Sequence, residues 1–310
     1  MGSNATRREV GEVFLIETSD RDAGIRSLLS RYDLSEYSGR RVALKANYNS
    51  ADPFPASTHI DTLGAIVKGL KGAGASEITL AERSGMGDTR TVLKSMGVFE
   101  LSEQLAFKVV VLDEEDRDGW AKIERDGNHW LRGFYISKVF LETDRVVQTC
   151  CLKTHRFGGH FTMSLKNSVG LVAKKVPGGL YDYMLELHGS PFQRLMIAEI
   201  NKFYGVDLVV MDAMKAFVNR GPERGDLVEP NLLLASGDRV AIDAVGVAIL
   251  RIYGSTRNVM KGRIFDLAQI RRAAELGIGV ESPEDIRLTP IDERSRVIAN
   301  EIERVLEEQG

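Results

Sequence analysis

Arg41-Val42-Ala43-Leu44-Lys45-Ala46-Asn47, then a loop holding Pro53 and Pro55, then apolar positions Leu63, Ile66, Val67 and Leu70, then Glu77-Ile78-Thr79-Leu80-Ala81: this stretch decides the fold. The first and last runs are short, apolar and β-branched, as buried strands are. The prolines keep residues 48–57 out of regular structure. Between loop and second strand the apolar residues recur at helical spacing, with Thr58 placed to cap that helix and Gly72 and Gly74 to end it. A strand–loop–helix–strand unit of this kind implies a right-handed parallel crossover.

Working outward, the alternation continues. Val13–Ile16 reads as a strand and Asp22–Tyr32 as a helix; Thr89–Met96 and Lys108–Leu112 repeat the pair on the other side. Residues 113–144 break the pattern and suggest an insertion or a small antiparallel element. Arg145–Leu152, Asp207–Asp212 and Leu232–Ser236 read as further strands, with helices at Phe161–Val172, Pro191–Tyr204, Asp238–Tyr253 and Glu293–Glu307. The expected fold is therefore α/β: a mostly parallel open sheet flanked by helices, arranged as two lobes sharing a cleft. The lobes are assigned to residues 11–145 and 146–310, with residues 1–10 a disordered or appended N-terminus. In such sheets ligands bind beyond the carboxyl ends of the strands, which points to the loops after Asn47, Glu82 and Asp113.

Composition narrows the function. The 310 residues carry 41 basic and 44 acidic side chains, a net charge of −3. No basic surplus marks a nucleic-acid partner. No apolar run approaches the roughly 20 residues of a membrane span, and Met1–Ala5 lacks a signal-peptide apolar region; a cytoplasmic protein is expected. The only cysteines, Cys150 and Cys151, read as buried thiols in a reducing compartment. The chain cannot by itself supply the four cysteine ligands of a common iron–sulfur cluster.

The chemistry-bearing residues concentrate between Cys151 and Gly170. Lys153, Thr154 and His155 leave the end of a strand, followed by Arg156, Gly158, Gly159, His160, Lys166 and Asn167. Such a group can bind an anion or present a base; the other reading is a basic, flexible surface loop. Amides in the first turn of the helix carrying Lys166 and Asn167 would favour a negative ligand. His155, His160 and His188 fall close together, so a divalent transition metal is one reading, with Asp212 or Glu186 as additions; solvated or hydrogen-bonded imidazoles are the other. Ser84–Thr89 is expected to be a turn with Asp88 or Thr89 capping a helix, because Asp88 would repel a phosphate and no Walker lysine follows. Asp243 lies on an apolar helix face, where a carboxylate needs a partner; an ion pair with a lysine from residues 153–166 and a catalytic use both remain open. No Gly-x-Ser-x-Gly elbow is present.

These residues also occur in a recognisable order. Leu44-Lys45-Ala46-Asn47, Pro55 to Thr58, Cys151–Gly170 with Lys153-Thr154-His155 and Lys166-Asn167-x-x-Gly170, and Ala235-Ser236-x-Asp238 to Val245 together resemble the family called domain of unknown function 362, over about residues 40–255. Many members carry or accompany ferredoxin-type cysteine motifs, which implies redox or metal-linked roles; this chain lacks those motifs and has Ala46 where a proline is usual. Asn47, the proline loop, the helix after Thr58 and the lysine–histidine cluster are also similar to the nickel-pincer lactate racemases. The resulting expectation is an enzyme for a small anionic substrate. Lys153 and Lys166 would hold its oxygens and His155 would move a proton. Asn47, Thr154, Asn167, Gly170 and Asp243 would complete the site. The competing expectation is an accessory protein without turnover, holding a metal on His155, His160 and His188 for a redox or metal-delivery partner. The amphipathic C-terminal helix leaves a homodimer open.

Overall fold

Strands β2 (Arg41–Lys45) and β3 (Glu77–Glu82) pair in parallel in the computed structural model, which describes residues 10–310. The expectation for residues 1–9 lies outside them. Before this unit come β1 (Gly11–Glu17) and α1 (Arg21–Leu29); inside it lies α2 (Ile60–Gly72), whose Leu63, Ile66, Val67 and Leu70 are fully buried against the sheet. Thr58 does not cap α2. Its hydroxyl accepts the Asn47 N–H at 2.8 Å, and the His59 ring accepts the Asp61 N–H instead. Helices α3 (Thr89–Ser95) and α4 (Val98–Leu105) lead to β4 (Lys108–Val111), parallel to β3. Asp88 caps α3 through the Thr91 N–H, as the turn reading of Ser84–Thr89 required.

The interruption at 113–144 is a small antiparallel pair, β5 (Trp120–Ile123) with β6 (Phe134–Ser137). Trp130, Phe134 and Ile136 bury one face of it completely. Next, β7 (Arg145–His155) runs three residues past its expected end, because β8 (His160–Phe161) folds back and pairs with Thr154 and His155. The expected helix Phe161–Val172 is consequently reduced to α5 (Ser164–Asn167) and a 3₁₀ turn at Ser168–Leu171. Helix α6 (Tyr183–Gly189), unforeseen, precedes α7 (Gln193–Ile200). Then come β9 (Leu208–Asn219), β10 (Asp226–Val228), β11 (Leu232–Ser236) and α8 (Arg239–Ile252), the last capped by Asp238. Short helices α9 (Arg257–Met260) and α10 (Ala268–Glu275), strand β12 (Ile286–Pro290) and helix α11 (Glu293–Gln309) complete the chain.

The main sheet has the order β12-β1-β11-β9-β7-β2-β3-β4, with β8 and β10 attached to β7 and β9. Only β11 runs antiparallel to its neighbours on that path, so the sheet is mixed and mostly parallel. Strands from residues 11–145 and from 146–310 intermingle in it: β1 sits between β11 and β12. Both faces are covered, as a mainly parallel sheet requires. On β9, Val209 and Met211 pack with α8 while Leu208 and Val210 point to the opposite core with α1 and α2, the alternation a strand imposes. Ala299, Ile302 and Leu306 of α11 pack into the first of these cores. Among the described residues no helix is long and apolar enough to cross a membrane.

Candidate functional site

The parallel strands β2, β3 and β7 bring their carboxyl ends to one edge, and each ends on a polar residue: Lys45, Glu82 and His155, with Lys153 two positions earlier. These residues, with Lys166 and Asn167 from α5, line a cavity of about 540 Å³. The loop after Asn47 contributes Asn49, and the loop after Glu82 contributes Arg83, Gly85 and Met86.

One wall is a closed polar network. The Lys45 ammonium donates to both Glu82 oxygens, at 2.6 and 2.9 Å, to the Ala46 carbonyl at 2.6 Å and to Asn167 Oδ1 at 3.2 Å. Burial pushes the Lys45 pKa down and the Glu82 charge opposes that shift. Asn167 Nδ2 donates to the Thr149 carbonyl, so both ends of this amide are engaged by protein. A Cβ on Gly170 would lie 2.7 Å from Lys45 Cε and 3.0 Å from Glu82 Oε1. The Lys-Asn-x-x-Gly motif thus has a division of labour: Asn167 fixes Lys45, Gly170 leaves space for the ion pair, and Lys166 is left to the cavity.

Lys153 is also saturated. Its ammonium donates to Asn47 Oδ1, to the Pro55 carbonyl at 3.1 Å and to the Ala56 carbonyl, all neutral acceptors. Burial lowers its pKa. Lys153 therefore ties the proline loop to β7, with its ammonium protons taken up by protein oxygens.

Lys166 differs from both. Its side chain is partly buried, and the ammonium has no hydrogen-bond or ion-pair partner among the described residues. Burial, then repulsion from Arg194, Lys153 and Arg83, lowers its pKa to about 7. Arg83 is buried: its two terminal nitrogens donate to the Ser84 and Val169 carbonyls, and its Nε, closed off from solvent, has no partner among the described residues. Burial lowers its pKa too. Behind Phe157 stands Arg194, held at about 10 by burial and bonded to the Phe157 carbonyl at 2.8 Å.

The His155 ring is buried at the cavity wall, and its Nδ1 accepts the Phe157 N–H at 3.2 Å. That contact assigns the proton of the neutral ring to Nε2. Burial first, then Lys166, Arg194, His188 and Arg156, drive its pKa far below the ordinary value, so the ring is neutral near pH 7. His188 opens onto the same cavity from α6 and Phe157 packs between the two imidazoles, at 5.4 and 5.9 Å. His160 does not line the cavity; burial lowers its pKa to about 4. Among the described residues no three His, Cys, Asp or Glu side chains converge as metal ligands do.

Two other expected site residues face elsewhere. Thr154 Oγ1 donates to the Phe217 carbonyl and accepts the Gly221 N–H, joining β7 to the end of β9. Asp243 accepts the Ser164 and Leu165 N–H groups at 2.8 and 3.0 Å, so its partners are backbone amides and no lysine. That contact also closes the first turn of α5, which is not free to receive an anion. Burial raises the Asp243 pKa to about 7 against the pull of both amides. Cys150 and Cys151 are free and buried, and burial raises both thiols.

Glu82 and Arg83 are site residues beyond those expected from the sequence, and Lys45 is more than a motif position. A signal existed: a lysine inside the apolar run Val42–Ala46 needs a buried counter-charge, and Glu82-Arg83 ends the neighbouring strand.

The profile of a family described as domain of unknown function (DUF362) matches residues 42–248. Over 252 residues the chain is 28% identical to a thylakoid-associated protein of Synechocystis sp., an alignment covering 80% of this chain and 74% of that protein. Among solved structures, the lactate racemase apoprotein from Thermoanaerobacterium thermosaccharolyticum aligns with a TM-score of 0.46 at 17% identity. That alignment covers 74% of this chain and 55% of the racemase, so the chain spans little more than half of it.

Proposed function

The chain belongs to the family described as domain of unknown function (DUF362), and from that premise we propose that it is an enzyme for a small anionic substrate, with Lys166 moving a proton. The observation that carries this reading is the Lys166 ammonium, which lines the cavity without a partner among the described residues, while Lys153, Arg83 and Arg194 near it are bonded to neutral acceptors alone. Unpaired positive charge in a low-dielectric wall costs stability unless a ligand supplies the counter-charge. An anion in the cavity would supply it through Lys166, with the buried Arg83 guanidinium, whose Nε no protein oxygen satisfies, adding its charge from the wall. The field of Lys153 and Arg194 adds to the attraction.

In the protein by itself the Lys166 pKa is lowered to about 7, close enough to neutral for the group to take part in a proton transfer. His155, held neutral with its proton on Nε2, serves as a hydrogen-bond donor to a substrate oxygen rather than as an acid. Asn47, whose Oδ1 is taken by Lys153, keeps its amide N–H groups for orientation. A metal ion bound on its own does not fit this set: two imidazoles open onto the cavity, and the surrounding guanidinium and ammonium groups repel a divalent cation. The accessory, metal-delivering role therefore has less support. The reading includes a reducing, cytoplasmic compartment, in keeping with two free buried thiols.

Titration calorimetry with sulfate, phosphate and small carboxylates tests the binding part. Lys166→Met and Arg83→Gln should each weaken the best of these by about tenfold or more, the scale of a lost charge-assisted hydrogen bond; unchanged affinity in folded variants overturns the assignment. For turnover, carboxylates that bind and carry acidic C–H bonds are incubated in D₂O. Deuterium should enter with the unaltered protein and not with Lys166→Met at concentrations that saturate both.

A further inference from the structure

We infer that the molecule taken up is amphiphilic, an anionic head seated at Lys166 and Arg83 and an apolar body lying across Met86, Phe157, Met184 and Leu185 at the mouth. This rests on the anion-site reading above and adds the part of the ligand that reading leaves undefined.

Three large apolar side chains lining the cavity are left in water: Leu185 is 74% exposed, Phe157 50% and Met86 40%. Single exposed apolar residues are ordinary. These three, however, come from separate segments, the loop after β3, the turn after β7 and helix α6, and meet on the rim of one cavity with a cationic interior. A bare phosphate or carboxylate would bury none of them. Met184 joins the two zones: it lines the cavity, and its sulfur lies 3.3 Å from Arg83 Nη2. Methionine is flexible and polarizable, which suits a wall that must follow an apolar surface.

Size agrees. The cavity, about 540 Å³, falls within the ~300–1,000 Å³ typical of sites that enclose whole organic ligands. The polar anchors sit inside and the apolar surface outside, so the head enters first and the body closes the mouth. Burial of Leu185 and Phe157 by that body would remove their cost in water.

The test uses the full chain and a series in which charge is constant and the tail grows: methyl, butyl and hexyl phosphate, with acetate, pentanoate and heptanoate as the carboxylate arm, all below micelle-forming concentrations. Calorimetry should show affinity rising about fourfold per methylene buried, and the stronger arm identifies the head. Leu185→Ser and Met86→Ser alter exposed side chains that hold none of the polar groups of the cavity, so folding and the head site are preserved. They should flatten the series while leaving the shortest anion unchanged. A flat series in the unaltered protein, with inorganic phosphate still bound, overturns the amphiphile and spares the anion site. A series that climbs equally in both variants overturns the place given to the body. If no anion of either arm binds, the anion site fails and this inference fails with it.

Discussion

The Lys45 ammonium and the Glu82 carboxylate meet at 2.6 and 2.9 Å with both side chains closed off from solvent, whereas Lys166, lining the same cavity, has no counter-ion among the described residues. One lysine is thus structural and the other available, although both sit at the same edge of the sheet. The consequences differ in sign.

Lys45→Met should destabilise the protein by about 3–5 kcal/mol, because Glu82 is left buried and uncompensated. Adding Glu82→Gln removes that stranded charge, so the double variant should be more stable than Lys45→Met alone. Urea unfolding of the three proteins measures both differences.

Gly170→Ala should cost about 1–3 kcal/mol through crowding of the Lys45–Glu82 pair, with atoms as close as 2.7 Å to the new Cβ. In a Lys45→Ala background, where space has been opened, the same change should cost less. A double-mutant cycle reads the coupling; additive costs would show that the glycine serves another purpose.

Lys166→Met should keep the fold and raise the thermal midpoint at pH 6 by about 2 °C, the effect of roughly 1 kcal/mol in a large domain. Its folded pKa, about 7, lies below the ordinary 10.5. Between these values the unfolded chain holds a proton that the folded chain lacks, so stability rises with pH across that window. Calorimetric scans from pH 6 to 10 should show this rise in the unaltered protein and its loss in the variant.

Sulfate affinity should fall about tenfold as pH increases through 7, since Lys166 loses its charge there while sulfate keeps its own. Titrations at pH 6 and 8.5 measure the fall. In Lys166→Met the two affinities should be equal.

Asp243 has the opposite linkage. Its folded pKa, about 7, lies above the ordinary carboxylate value, so between about 4 and 7 the folded state holds the extra proton. Its contribution is full below about 4 and is lost as pH rises through 7. Asp243→Asn should remove that slope in urea unfolding at pH 5 and pH 8. It also leaves one of the Ser164 and Leu165 amides without an acceptor, at a cost of about 1–2 kcal/mol.

Much of the frame was legible. Strand and helix periods depend on neighbouring residues alone, so the β2–α2–β3 unit, strand β11 and helix α8 follow from local patterns. The segment from 153 to 172 was not, because β8 pairs with Thr154 and His155 and replaces the first turn of the expected helix. Helix α6 escaped notice for a related reason: only Tyr183 and Leu187 of it are buried, too few to stand out as a period.

The site shows the same division. Motif order and strand-end placement brought eight residues together as one candidate address; the cavity gathers Asn47, Lys153, His155, Lys166, Asn167 and Gly170 and leaves out Thr154 and Asp243. Which of them can reach a ligand was decided by tertiary contacts. Lys45, Lys153 and Asn167 spend their hydrogen bonds on Glu82, Asn47, the proline loop and Thr149, residues distant in the chain. Residue type and order determine what chemistry is available and on which sheet edge it collects. Whether a given ammonium is a strut or a binding group depends on which oxygens the fold brings within about 3 Å of it, a distance no local pattern encodes.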